Sequence, residues 1–419
     1  MTKAGFKVKV DNVERRYKLG NVYFNAGDFK GAFKMMRKWV FFTVLTALFV
    51  LAINSNAVAV NTRDIDAVLK KSVINDQDKK IIDDFLAQAV VELVKTKDFT
   101  SIAQVRSVIL SRKSTQSQYA QQFSESSYKQ IQAGFEQAQT LRPEERKTNV
   151  IISLLILIDG MEDLRLADLA QGWLKDNNMV IRYWAVHSLT NPAIVQQLNS
   201  GATSNPQLAQ AITEQLKEIV QTSKPEITVH IARFAAGINI PQGGELLLQV
   251  ADDRIKRYAD WTVTYEFYDT IILKLLESKI PLSSQAVGTA TTTTSLSKPE
   301  TARRFAQLYS YVIQRYIKGS NVLNETQKQH LTSVIIEVEE ICVTRLLGLS
   351  RSQGTIRRAI ERDNLTALSD EHNKLLGDET STGQLPSKLG FNYSTSPNAP
   401  KRTAPIPLPD KPQKTEANN

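Results

Sequence analysis

Met179-Val-Ile-Arg-Tyr-Trp-Ala-Val-His-Ser-Leu189, set inside the longer run Val150–Leu198, decides the fold. Its apolar residues recur at helical spacing. A weaker copy, Ile227-Thr-Val-His-Ile-Ala-Arg-Phe-Ala-Ala236, follows 47 residues later. Laying Val180 on Ile227 sets Trp184 on Ile231, Ala185 on Ala232 and Ser188 on Ala235. A small residue between bulky ones lets two helices approach closely. Repetition at this period predicts an all-α chain of stacked helical hairpins, an α-solenoid.

Upstream, Asn149–Ile158 is apolar nearly all round and is expected to be the most buried helix. Asp76–Lys95 carries apolar residues at amphipathic spacing, and Ser111–Thr140 reads as a long exposed helix, or a helical hairpin, since Gly and Pro are almost absent from it. Asn191-Pro192 closes the first repeat. Pro206–Val220 opens the second, and the copy at Ile227 completes it. Arg254–Lys279 reads as one helix, with Trp261, Tyr265 and Tyr268 on an aromatic stripe and Glu266 and Asp269 as solvated acids sharing a face. Past a Thr-rich linker, helices are expected over Thr301–Tyr316, over Asn324–Leu347 with an Asn324/Gln327 cap, and over Gln353–Leu376.

The chain therefore divides into an N-terminal helical region (60–142), the repeats (143–280), the linker (281–299), a C-terminal helical region (300–376) and a tail (377–419). Seven of the fourteen prolines fall in the last 34 residues, so the tail is expected to be disordered and solvated. Ala404-Pro-Ile-Pro-Leu-Pro409 has the composition of polyproline II, which also suits a docking peptide.

Met36–Ala59 has the layout of a secretory signal. Arg37 and Lys38 precede a 15-residue apolar core, Trp39–Ile53, and Ala57-Val-Ala59 offers a cleavage pattern. Residues 35–59 are read as a signal peptide, with an uncleaved signal anchor as the alternative. Residues 1–34 are either upstream of the true start or a basic cytoplasmic tail. In both cases the chain beyond residue 60 leaves the cytosol, for the periplasm, cell envelope or exterior. The formal charge of +9 is misleading: residues 1–59 hold ten Lys or Arg against three acids, a surplus of +7 that leaves +2 for the rest. No concentrated basic face remains for nucleic acid.

The lone Cys342 lies on an apolar helical face and reads as packing. Phosphate loops, dinucleotide fingerprints, HExxH and GxSxG are all missing, so no cofactor is expected and no catalytic or metal-binding set stands out. The four histidines are scattered. His187 and His230 lie in the repeated helices at non-equivalent positions, because His230 falls on Tyr183.

Val180, Arg182, Ala185 and Leu189 resemble the second helix of a HEAT-type repeat, and Ile227–Ala236 does so without the arginine. The resemblance covers about residues 164–250. It implies a curved helical stack whose concave face binds macromolecules, with Arg182, Tyr183 and His187 as candidate partner-binding residues. The expected function is that of an exported, non-enzymatic scaffold for protein–protein interaction in the envelope. The alternative is an all-α enzyme or binding protein acting on an envelope polymer such as glycan, with Glu266 and Asp269 as the carboxylates to test.

Overall fold

The computed structural model describes residues 60–200, 205–281, 296–394 and 399–411, and all regular structure among them is helical. The expected signal segment lies outside the described residues, as does most of the Thr-rich linker. Helices α1 (Arg63–Val68), α2 (Asp76–Lys95), α3 (Phe99–Leu110), α4 (Ser117–Gln139) and α5 (Glu144–Met161) lead into the middle of the chain. There α6 (Ala167–Gln171), α7 (Met179–Leu189), α8 (Pro192–Asn199), α9 (Pro206–Ile219), α10 (Pro225–Gly237) and α11 (Pro241–Ala259) follow. The remainder is α12 (Asp269–Ser278), α13 (Lys298–Lys318), α14 (Glu325–Val338), α15 (Thr344–Leu347), α16 (Thr355–Glu361), α17 (Leu365–Leu376) and α18 (Gln384–Leu389).

Local chemistry explains the helix starts. Asn75 and Asp78 form a reciprocal capping box at α2, and Asn324 with Gln327 forms the expected one at α14. Proline occupies the first helical position of α8, α9, α10 and α11, where a missing N–H costs nothing. Asn191-Pro192 follows directly on the end of α7 and also opens α8, because the Asn191 side chain accepts from the Ala193 amide.

Packing links helices in sequence along one row: α3 to α5, α5 to α7, α7 to α10, α10 to α12, and α12 to α14. On other contacts α2 meets α4, α9 meets α11, α11 meets α13 and α13 meets α17. A small residue of α7 permits its close approach to α5: buried Ser188 donates its hydroxyl to the Leu155 carbonyl at 3.0 Å. Helix α5 buries Val150, Ile151, Leu154, Leu155, Leu157 and Ile158, but it is not the most buried helix: α10 and α13 bury a larger share of their residues, being packed on more sides. As expected, Cys342 is a buried free thiol. The polar α4 buries Tyr119, Phe123, Ile131 and Phe135 along one side, so it is amphipathic rather than free-standing.

The expected single helix over Arg254–Lys279 does not form. Helix α11 ends at Ala259, and the chain turns through Trp261 and Tyr265, both in the left-handed region (φ 56° and 52°). Glu266 and Asp269 are not solvated; they are 1% and 0% exposed. Asp269 holds Arg254 (1% exposed) by two bonds, Nε to Oδ1 at 2.7 Å and Nη2 to Oδ2 at 2.8 Å, and accepts a third from Tyr258 Oη at 2.7 Å. Glu266 accepts from buried Arg315 of α13 at 3.3 Å. The corner exists because it lets two carboxylates meet two guanidiniums inside the protein. Burial works against the charge on Arg254, but the Asp269 carboxylate outweighs it and raises its pKa.

The expected helix over Gln353–Leu376 is two, α16 and α17, split where Asp363 takes φ 49°. The disordered tail is also corrected for residues 377–394 and 399–411. Leu385, Leu389, Tyr393 and Leu408 are buried, and Tyr393 donates to the Leu376 carbonyl at 2.8 Å. A few apolar anchors hold a segment whose average composition suggested solvation. At Gly377 (φ 103°) a Cβ would lie 2.3 Å from the Thr403 carbonyl, so this return of the chain requires glycine.

Asp269→Ala leaves Arg254 buried without its partner and is expected to cost about 3–5 kcal/mol of stability. Replacing both by apolar residues, Arg254→Met with Asp269→Leu, recovers most of that loss. Denaturant unfolding of the three proteins measures it, and a cost below about 1 kcal/mol for Asp269→Ala contradicts the buried-pair account.

Candidate functional site

Helix α7 carries Tyr183 and His187 at i and i+4, so they share a face, with Trp184 beside them. On the neighbouring α10, His230 meets this face. Its ring lies 4.7 Å from that of His187 and 5.5 Å from that of Tyr183, centre to centre. Trp184 packs on both Tyr183 and His187. The third sequence candidate, Arg182, lies about 100° round the helix from Tyr183. Its Nε is buried with no hydrogen-bond partner, and no ring contact joins it to the cluster.

A second group of rings follows at the α11–α12 corner. Phe267 packs on Tyr265 and Tyr268, and His330 of α14 meets Phe267 edge-on at 4.9 Å. Tyr265 is 50% exposed and Phe267 38%. The 266–268 turn packs on α10, which brings this group next to the first. Burial first, and then the nearby Glu226 and Tyr183, raise the pKa of the Tyr268 phenol. The result is a ridge made of two neighbouring ring clusters, one from α7 and α10 with His187 and His230, the other from the 265–268 corner and α14 with His330.

The polar groups under the ridge are committed to holding it. His187 Nδ1 lies 2.9 Å from Asp159 Oδ1, and Asn191 donates to the same oxygen at 2.9 Å. A carboxylate only accepts, so His187 carries its proton on Nδ1. Burial opposes the charge on Asp159, but the bonds from His187 and Asn191 outweigh it and hold the pKa below the usual carboxylate range. The nearby Ser188 hydroxyl is bonded to the Leu155 and Trp184 carbonyls, so it is not poised as a nucleophile for the His187–Asp159 pair. Glu266 and Asp269, the carboxylates of the enzymatic alternative, are buried in ion pairs and face no open site. Among the described residues, no group of three or more His, Cys, Asp or Glu is placed to hold a metal ion. No described helix is long and apolar enough to cross a membrane.

The meeting of His187 and His230 escaped the sequence reading, although the repeat alignment contained its signal. Equivalent positions on stacked helices are spatial neighbours. His230, which falls on Tyr183 in the alignment, accordingly contacts it, and His187 one turn further on as well. Comparison with protein-family models, with the curated proteins and with the solved structures gives no match.

His230 supplies a pH test. Burial first, then the charges of His187 and Arg233, lower its pKa from 6.5 to about 4, with Asp159 opposing. Between those values the unfolded chain binds more protons than the folded one, so acidification favours unfolding. The stability from neutral His230 is complete above about pH 6.5 and is lost as pH falls toward 4. His230→Phe is expected to shrink the fall in unfolding free energy between about pH 7.5 and 4.5, measured by urea titration. An unchanged fall contradicts the assignment.

Proposed function

We propose that the chain is an exported, non-enzymatic scaffold, a HEAT-like α-solenoid that holds a protein partner in the cell envelope. The observation that carries this reading is the ring ridge crossing successive packed helices, with exposed Tyr265 and Phe267 at one end and Tyr183 and His187 at the other. Aromatic side chains offer large contact area at low entropic cost and dominate protein interfaces. The row of helices packing from α3 through α14 supports the solenoid reading. The signal-like segment over 35–59 supports export. The ridge rings also suit stacking on sugar, which keeps binding of an envelope polymer as the second reading. Catalysis by Glu266 or Asp269 does not belong to it, because both are buried and paired.

Truncating a central interface ring costs about 2 kcal/mol or more, some thirtyfold in affinity. Tyr183→Ala and Phe267→Ala proteins, shown folded by circular dichroism, are therefore expected to lose one shared protein partner. Recovery from cells by crosslinking and mass spectrometry reads this out. Full recovery with both variants overturns the scaffold reading, and retention of the protein on isolated envelope glycan without any partner favours the second.

A further inference from the structure

The proline-rich end of the chain is seated against α13, and side chains supply its backbone bonds. Gln307 grips Ile406 twice, accepting its N–H at 2.8 Å and donating to its carbonyl at 3.0 Å. Gln314 accepts the Leu408 N–H at 2.6 Å, and Lys318 donates to the Leu408 carbonyl at 2.6 Å and to Asp410 at 2.8 Å. From the α11–α12 corner, the Trp261 indole donates to the Pro409 carbonyl at 2.8 Å. Between Pro405 and Pro409 the backbone owns only two N–H groups, at Ile406 and Leu408, and both are bound. Leu408 fills an apolar hole (0% exposed), while Pro407 and Pro409 face outward.

Two features distinguish this segment from a permanent part of the core. A cleft of about 300 Å³, open to solvent, runs alongside it between Pro405 and Pro407 of the strap and Gln314, Lys318, His372 and Asn373. The strap also buries only Pro405 and Leu408 among residues 404–410, so its release exposes little apolar area and unravels no helix.

We propose that the α13 face with Trp261 is a docking groove for proline-rich segments of the pattern Pro-aliphatic-Pro-Leu-Pro-acid. The chain's own Pro405–Asp410 occupies it as an intramolecular competitor, and the partner in trans is a protein segment of the same chemistry. Alternating prolines suit a groove that accepts a backbone N–H only at every second residue, and Lys318 selects the trailing acid. Tethering gives the resident tail an effective concentration near the millimolar range, so only a tighter segment, or release of the tail, opens the groove. This inference rests on the groove alone and is independent of the ring ridge.

The test uses full-length protein and a fluorescent peptide spanning Ala404–Lys411. Leu408→Asp places a charge in the apolar hole and is expected to free the strap. The peptide then binds this variant at least tenfold more tightly than wild type, by anisotropy, and adding Gln307→Ala removes that binding. Equal binding to wild type and a folded Leu408→Asp, or binding that survives Gln307→Ala, overturns the proposal. In the wild type, the Ile406 and Leu408 amides are expected to exchange hydrogen far faster than interior amides of α13, and equal rates overturn the exchangeable strap whether or not Leu408→Asp folds. A wild-type dimer that opens the groove on dilution would assign the occupant to a second copy and also overturn a partner in trans.

Discussion

The pairing of Arg254 and Arg315 with Asp269 and Glu266 is the constraint on which the C-terminal half depends. Four buried charges sum to zero, and each would be costly without its partner. Asp269 is saturated by Arg254 and Tyr258, whereas Arg315 leaves Nε and Nη1 without hydrogen bonds. Aromatic faces stand in for them: the Arg315 guanidinium lies 5.1 Å from the Trp261 ring centre and 5.9 Å from that of Tyr258. To bring these groups together the chain accepts left-handed conformations at two aromatic residues, at a cost of about 1–3 kcal/mol each. Strain of that size persists only where surrounding interactions over-determine it.

The same corner presents two surfaces. On one side Tyr265, Phe267 and Tyr268 continue the ring ridge from α7 and α10, with His330 of α14 approaching Glu266 Oε2 at 3.7 Å. On the other, Trp261 caps the end of the proline-rich strap. A chain of direct contacts thus runs from Pro409 through Trp261, Arg315 and Glu266 to His330 and Phe267. Both surfaces are held by one element, so a change in its ion pairs is felt at both.

The all-helical fold was legible because it rests on local signals. Apolar spacing, the Asn324/Gln327 cap and the N-terminal prolines act within a turn or two, and the buried face of α5 follows from its composition. What was not legible depends on partners distant in sequence. Nothing near Asp269 announces Arg254 as its mate in preference to solvent, and period-3.6 spacing of Trp261, Tyr265 and Tyr268 continued through a corner that tertiary ion pairing imposed. The tail misled for a related reason: low average hydrophobicity hid Leu408, Tyr393 and Leu389, whose seats are built by α13, α17 and their neighbours. All three candidate site residues were offered together on the HEAT-like pattern, and the structure joins only Tyr183 and His187. Arg182 stands apart from them.

The central claim, that one buried ion-paired corner sustains both surfaces, is tested most directly by hydrogen exchange on Arg315→Met. This variant strips Glu266 of its buried cation and Trp261 of its stacking partner while keeping an apolar side chain of similar length. The account predicts that amides of the 261–268 corner and of the 402–411 strap lose protection together, while α2 to α5 exchange as in the wild type. Loss of protection in the corner with an undisturbed strap, or in the strap with an undisturbed corner, contradicts it.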